Sequence, residues 1–437
     1  MTKRTVLALF FLALAMRIGS VMILTERKPD LDAAEMEWIA VNLAEGRGFS
    51  SPFGPGKAPT AHLAPAVPYL WSAIFDWTGP ATRTSVLIIR LLQTLPGAFA
   101  VLLYALCAER IRRRWDVLPR YAPVAVGLVM AFWPEALAQL SNTWYYQWQE
   151  AGLALLAYLG MVWIDRPRLA SAAAAGLAAG MLALVNPTPA VVLGPILAAP
   201  LLRGWATARR HVVAAFVGGL VSLAVITPWM IRNRTVFGEN IPIRGNLGLE
   251  LLQANHPDAR PMQYGKSYHP AVSREARAIF DSLGERGYAH WATQRAKMYI
   301  QADPVLAVKR TFVRVALFWT TDVFDRYRWL TDRPPWWKRC CSFDKLHRLA
   351  TILCAVVPLG IVLGGLAAGT LRGLPYFAVF GGIFILMPLP FYLTIVGASY
   401  GMPVRSWLGV LAVLVVVASL ARRHRLSPMR EVSPAPW

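Results

Sequence analysis

Three carboxylates stand close together early in the chain: Asp32, Glu35 and Glu37. The segment from Pro29 to Gly46 reads as a helix, with Asp30 or Asp32 able to cap its start and Gly46 suited to its end. At about 100° per residue, Met36, Ile39, Ala40 and Leu43 fall on one apolar stripe. Such a stripe predicts a helix lying on a membrane surface with its apolar side down. Glu35 sits at the edge of the stripe, roughly 60° from its centre. Asp32 lies near it, and Glu37 and Glu45 point towards water. A carboxylate held at such an edge can take a proton from a substrate. The spacing also has a structural reading, because Asp32-Ala-Ala-Glu35 matches a capping box and acids favour the first turn of a helix. The residues alone leave both readings open.

Other chemistry-bearing residues are scattered. His62 follows in a Pro- and Gly-rich stretch, and the apolar segment Leu63–Trp77 with its two prolines predicts a second interfacial helix. Arg90 lies inside an apolar run, where a charge marks function by default, although pairing with Glu150 or Glu135 would serve structure. Trp144, Tyr145, Tyr146 and Trp148 form an aromatic belt at an interface, with a sugar platform as the rarer alternative. Cys107 and Cys354 sit in apolar runs as packing residues. Cys340 and Cys341 are adjacent, and no CxxC pattern points to zinc or redox work. No metal-ligand cluster or cofactor motif is visible, so the expectation is metal: none, cofactor: none.

The elements that must position these residues are set by a lipid solvent. Of 437 residues, 56% are hydrophobic and 16% charged, against about 25% charged in soluble domains. Runs long enough to span a bilayer predict an all-α integral membrane protein of about ten transmembrane helices. They are Thr5–Leu24, Ser85–Ala108, Tyr121–Gln139, Gln147–Ile164, Leu169–Val185, Thr188–Leu202, His211–Met230, His347–Ala368, Leu374–Val396 and Pro403–Leu420. The first reads as a retained helix, with a signal peptide cleaved near Ala13-Leu-Ala15 as the competitor.

The net charge of +21 is spread in short clusters rather than in one patch, which argues against nucleic acid and for the positive-inside pattern. Arg110 to Arg120, Arg166 and Arg168, Arg203 to Arg210, Arg372 and the tail from Arg422 alternate with connections lacking Lys and Arg. The basic set, and with it both termini, is expected in the cytoplasm of a plasma (inner) membrane protein. Two long segments, 25–83 and 231–346, then fall on the periplasmic or extracellular side, and long connections of this kind carry function. The remaining divisions are a first helix at 1–24, helices at 84–230 and 347–421, and a basic tail at 422–437.

The stretch from Glu35 to Ser50, E-x-x-x-I-A-x-x-L-A-x-G-x-G-F-S, followed by Thr60-Ala61-His62 to Leu70, resembles the GT-C membrane glycosyltransferases. More narrowly, it is similar to the bacterial branch that includes protein O-mannosyltransferases and the lipid A aminoarabinose transferase. Pro228-Trp229 with Arg232-Asn233 matches a further element. So do Asn246 to Glu250 with Asn255-His256, then His269-Pro270, Gly284-Glu285 with Tyr288, and Asp303 to Trp319. One departure is Tyr400-Gly401-Met402-Pro403-Val404-Arg405, where the family often has Y-R-x-P.

The resemblance implies a GT-C-like fold and an inverting reaction. A sugar would move from a polyprenyl-phosphate donor to an acceptor, be it glycolipid, protein or polysaccharide, at the outer face. It makes Glu35 the expected general base, with Glu37 as substitute and Asp32 assisting. Arg232 and Arg244 are the expected phosphate clamps, unless they snorkel to membrane lipids. Arg90, His62, Asn233, Glu250, His256 and Tyr400 complete the expected substrate contacts. A multi-pass lipid or sugar transporter or flippase is the rival, but it predicts two related halves where this chain has two unequal outer segments. A non-catalytic scaffold is the third reading.

Overall fold

The computed structural model describes residues 1–27, 34–203, 205–259, 268–320, 343–397 and 399–426. Asp32, Cys340 and Cys341 lie outside them. Helices stand at each of the ten expected runs. In chain order they are α1 (Lys3–Arg27), α4 (Arg83–Arg114), α5 (Ala122–Ala131) continuing through α6 (Pro134–Ala138), α7 (Tyr146–Asp165) and α8 (Leu169–Val185). There follow α9 (Leu193–Ala198) between two 3₁₀ turns, α10 (Trp205–Phe237), α14 (Phe343–Ala367), the pair α15 (Phe377–Gly381) and α16 (Leu389–Leu393), and α17 (Met402–Leu426). Among the described residues, five stretches are long and apolar enough to cross a membrane: Lys3–Thr25, Arg83–Arg114, Ala122–Ser141, His211–Phe237 and Met402–Arg423. Four more apolar helices are shorter. The count of ten crossings therefore stays an expectation from the sequence.

The two outer segments carry the other helices: α2 (Ala34–Ala44), α3 (Ala66–Thr78), α11 (Leu247–Asn255), α12 (Arg274–Ala302) and α13 (Pro304–Thr320). Helix α12 bends at Gly284, whose φ of 67° suits glycine. The apolar stripe of α2 is present, but protein covers it rather than lipid. Met36, Ile39 and Ala40 are buried in the main core, and α2 packs on α3. Periodicity reveals an apolar face without saying what occupies it.

Hydrogen bonds sort the connections into two ends. At one end, Trp71 Nε1 donates to the Thr143 carbonyl at 2.8 Å, Gln93 to that of Asn142 at 2.9 Å and Gln139 to Ser399 at 3.0 Å. At the other, Trp115 Nε1 donates to the Arg372 carbonyl, the Tyr376 hydroxyl to Asp165, and Arg112 and Arg113 to Glu109. The Lys- and Arg-free connections at 141–146 and 397–402 thus share one end with the first outer segment, and the arginine-bearing connections after α4 and around Arg372 share the other with the end of α7.

Small residues let helices close up, as membrane interfaces favour. A side chain on Gly176 of α8 would sit 1.9 Å from the Gly218 carbonyl oxygen of α10. Charges inside the bundle are paired in ways the sequence did not disclose. Arg405 of α17 grips Glu135 of α6 with both Nε and Nη2, the Nε–Oε2 distance being 2.9 Å. Tyr104 donates to Glu150 at 3.1 Å. Arg17 of α1 is buried, with Glu150 in electrostatic reach. Its Nε and the Gln147 side-chain oxygen close on α4 at Gly97, where a Cβ would lie 2.6 and 2.4 Å from them. This corrects the expected pairing of Arg90 with Glu150 or Glu135. Arg90 is fully buried and donates to Thr25 Oγ1 at 3.3 Å.

Candidate active site

The site forms where the two outer segments meet. After α2 the chain turns through Gly46 and Gly48 and folds around Asn42, which is wholly buried. The Asn42 amide donates to the carbonyls of Ser50, Ser51 and Gly54 at 3.0–3.1 Å, while its oxygen accepts from Arg47 and the Gly56 N–H. This compacts the loop and sets Phe53 edge-on to three rings: His62 at 5.1 Å, His269 at 5.4 Å and Phe280 at 5.1 Å.

The second segment then pins the Thr60-Ala61-His62 stretch. Glu285 accepts from the Thr60 hydroxyl and, at 2.7 Å, from the Ala61 N–H. Burial pushes the Glu285 carboxyl up, against the pull of those two donors. The Gly245 N–H donates to the Ala61 carbonyl at 2.8 Å and Arg244 Nε to that of His62 at 3.2 Å. Arg232 staples both sides, donating to the carbonyls of Thr60 at 2.7 Å and Phe49 at 3.0 Å and to the Asn233 side chain. Its guanidinium also lies 4.8 Å from the Trp229 ring centre. Asn233 in turn holds the carbonyls of Ile241 and Ile243.

Glu35 occupies the first turn of α2, and its Oε1 lies 3.1 Å from His269 Nε2. The other ring nitrogen, Nδ1, accepts from the Ala271 N–H at 3.2 Å. That bond assigns the proton of a neutral ring to Nε2, so His269 donates to the carboxylate and orients it. Glu35 also acts electrostatically on His62, Tyr145 and Tyr400, and Glu250 on both tyrosines. Burial drives the His62 ring pKa down to about 3; Glu35 pulls it up, and Arg244 and His269 push it further down. Burial likewise raises the Tyr145 and Tyr400 phenols, which stay neutral donors; Arg244, hydrogen-bonded to Tyr145, opposes the rise there.

Of the expected residues, the structure therefore gathers Glu35, His62, Arg244, Glu250 and Tyr400 around one place. Glu37 is half-buried next to Glu35 in sequence. Arg232 and Asn233 sit beneath the site as staples. His256 is buried against the Tyr268 ring at 5.1 Å, and Arg90 is buried in α4 with Thr25 as one partner. His269, Glu285 and Tyr145 were not picked out as site residues, although His269-Pro270 and Gly284-Glu285 carried the resemblance. Arg405, four residues beyond the expected arginine, faces Glu135 inside the bundle. Among the described residues, no three His, Cys, Asp or Glu side chains converge as metal ligands would.

The overall arrangement matches solved membrane proteins. The Archaeoglobus fulgidus oligosaccharyltransferase in the apo form superposes with a TM-score of 0.55 at 14% identity, over 100% of this chain and 53% of that one. The same enzyme tethered to an acceptor peptide containing the NVT sequon gives 0.53 at 14% identity, over 99% and 51%. ArnT from Cupriavidus metallidurans bound to undecaprenyl phosphate gives 0.41 at 14%, over 99% and 82%, too loose a superposition to compare residues. No protein-family model matches the sequence, and no curated protein matches it either. The chain spans about half the length of the archaeal oligosaccharyltransferase. What the likeness shows is the fold, which this chain shares with the archaeal oligosaccharyltransferase.

Proposed function

We propose that the protein is a glycosyltransferase that moves a sugar from a polyprenyl-phosphate donor to an acceptor at the non-cytoplasmic membrane face, with inversion and with Glu35 as general base. The observation that carries this reading is the Glu35 carboxylate, oriented by His269 where the outer segments meet and set in electrostatic reach of two neutral tyrosines, one of them hydrogen-bonded to Arg244. The fold, shared with an oligosaccharyltransferase, supports the same class of reaction.

The chemistry balances as a single displacement. Glu35 takes the proton of an acceptor O–H or N–H. The freed lone pair bonds to the anomeric carbon while the bond from that carbon to the phosphate oxygen breaks, and the electron pair leaves with the phosphate. Attack opposite the leaving group inverts the anomeric centre. The charge gathering on the phosphate needs cations and hydrogen-bond donors already in place. Arg244, Tyr145 and Tyr400 suit that task. Arg232 suits it less, since backbone carbonyls occupy its donors. The polar network fixing residues 60–62 keeps this geometry rigid.

The test is transfer from a panel of radiolabelled polyprenyl-phosphate sugars by detergent-purified protein supplied with native membrane extract. Transfer that vanishes in Glu35→Gln, with folding and donor binding intact, is the expected result. Transfer unaffected by the change would move the base to Glu37 or Asp32. Neither transfer nor donor hydrolysis from any donor would favour transport instead.

A further inference from the structure

At the end of the bundle opposite the candidate site, α4 and α7 finish side by side, and their last turns wall a cavity of about 620 Å³. Its lining is Arg110, Arg113, Arg114, Val162, Asp165 and Arg166. Four guanidiniums against one carboxylate leave three positive charges in excess. The volume falls within the roughly 300–1,000 Å³ of small-molecule sites.

Part of the lining is fixed. Arg110 Nη1 lies 2.8 Å from Asp165 Oδ2, and its guanidinium is 4.9 Å from the Tyr158 ring centre. Arg114 pairs with the same carboxylate, which also accepts from the Tyr376 hydroxyl at 2.8 and 2.9 Å. Arg113, 68% exposed and in contact with Glu109, stands at the open rim with Arg166. Helix C-termini attract cations, and that accounts for arginines gathering here. It does not account for a cavity in which a half-buried carboxylate and Tyr158 hold two of them while Tyr376 donates to that carboxylate.

Guanidinium forks set in this way match phosphate oxygens, and basic pockets between membrane helices take anionic headgroups. We propose that this cavity binds a phosphate group, carried either by an anionic phospholipid or by a soluble phosphate ester. Helix α4 runs about 45 Å at 1.5 Å per residue between the two ends, so the proposal stands apart from glycosyl transfer at the candidate site.

The test uses the full chain in nanodiscs of phosphatidylcholine with a minor share of phosphatidylglycerol, retained lipids being counted by native mass spectrometry. Inorganic pyrophosphate is titrated separately against the detergent-purified protein and read by thermal shift. The rim variant Arg113→Gln with Arg166→Gln is compared with Arg422→Gln with Arg423→Gln, which removes the same charge from the same end outside the cavity. Selective retention of phosphatidylglycerol, weakened about tenfold or more by the rim variant alone, supports a lipid-borne phosphate. A pyrophosphate shift lost in the rim variant alone supports a soluble one. Equal weakening by both variants, or no preference for either anion, overturns the proposal.

Discussion

Two carboxylates in this molecule, Glu35 and Glu135, are each held by a nitrogen donor, and the settings differ. Glu135 is completely buried in the bundle, and Arg405, 1% exposed, grips both its oxygens. Glu35 is 15% exposed, and an imidazole N–H donates to its Oε1. A carboxylate aimed by a single imidazole donor is placed to take a substrate proton, whereas one gripped by a guanidinium inside the bundle serves structure.

That contrast can be broken by experiment. The largest expected effect is on turnover: Glu35→Gln should lower the transfer rate by about 10²- to 10⁴-fold while the melting temperature in detergent stays within a degree or two of wild type (about 0.5 kcal/mol). The inner pair should behave in reverse. Arg405→Met strips Glu135 of its partner and should cost about 3–5 kcal/mol, read by thermal melting. Adding Glu135→Leu should recover most of that loss, because an apolar pair of similar volume replaces a buried ion pair at little cost. If Arg405→Met melted like wild type but lost transfer, the roles assigned to the two carboxylates would be exchanged.

His269→Asn sharpens the comparison, since it should leave Glu35 in place but poorly aimed. A fall of about 10- to 100-fold in kcat with little change in KM is expected. A change confined to KM would make His269 a binding residue instead. The smallest effect is on acid stability. The His62 pKa is depressed in the folded state to about 3, against about 6.5 in the unfolded chain. Between those values the unfolded state binds the extra proton, so the stability contribution is whole above about pH 6.5 and declines as pH falls towards 3. The slope should be about 1.4 kcal/mol per pH unit, and His62→Gln should flatten it in melting curves taken from pH 7 to pH 4.

Much of the fold was legible because lipid imposes a simple rule, and every apolar run became a helix. The partition of basic connections was equally plain, and the hydrogen bonds that gather each set at one end agree with it. Glu35 and His62 could be singled out from their positions in the first turn of a short helix and in a polar loop, once the family resemblance was added. His269 could not, since it stands more than two hundred residues away beside a proline, in a stretch without periodicity. Its role exists only once the second segment folds over the first. An arginine at a span end can clamp a ligand, snorkel to lipid or hold backbone carbonyls, and the carbonyl contacts of Arg232 with Phe49 and Thr60 appear only in the structure. The stripe on α2 and the helix α3 were both visible, but not that one covers the other.

The burial of Arg17 has a consequence for how the chain is made. A first helix entering the bilayer with a central arginine carries a penalty of about 2.5–3.5 kcal/mol on insertion scales. The groups that receive it, Gly97 on α4 and Gln147 and Glu150 on α7, are synthesised only much later. Until α7 emerges, Arg17 has only backbone carbonyls, those of Ala13 and Ala131, to receive it, and α1 is held less firmly. A ribosome-bound chain stopped before Gln147 should therefore show α1 still extractable by alkali, and one stopped after the end of α7 should show it locked.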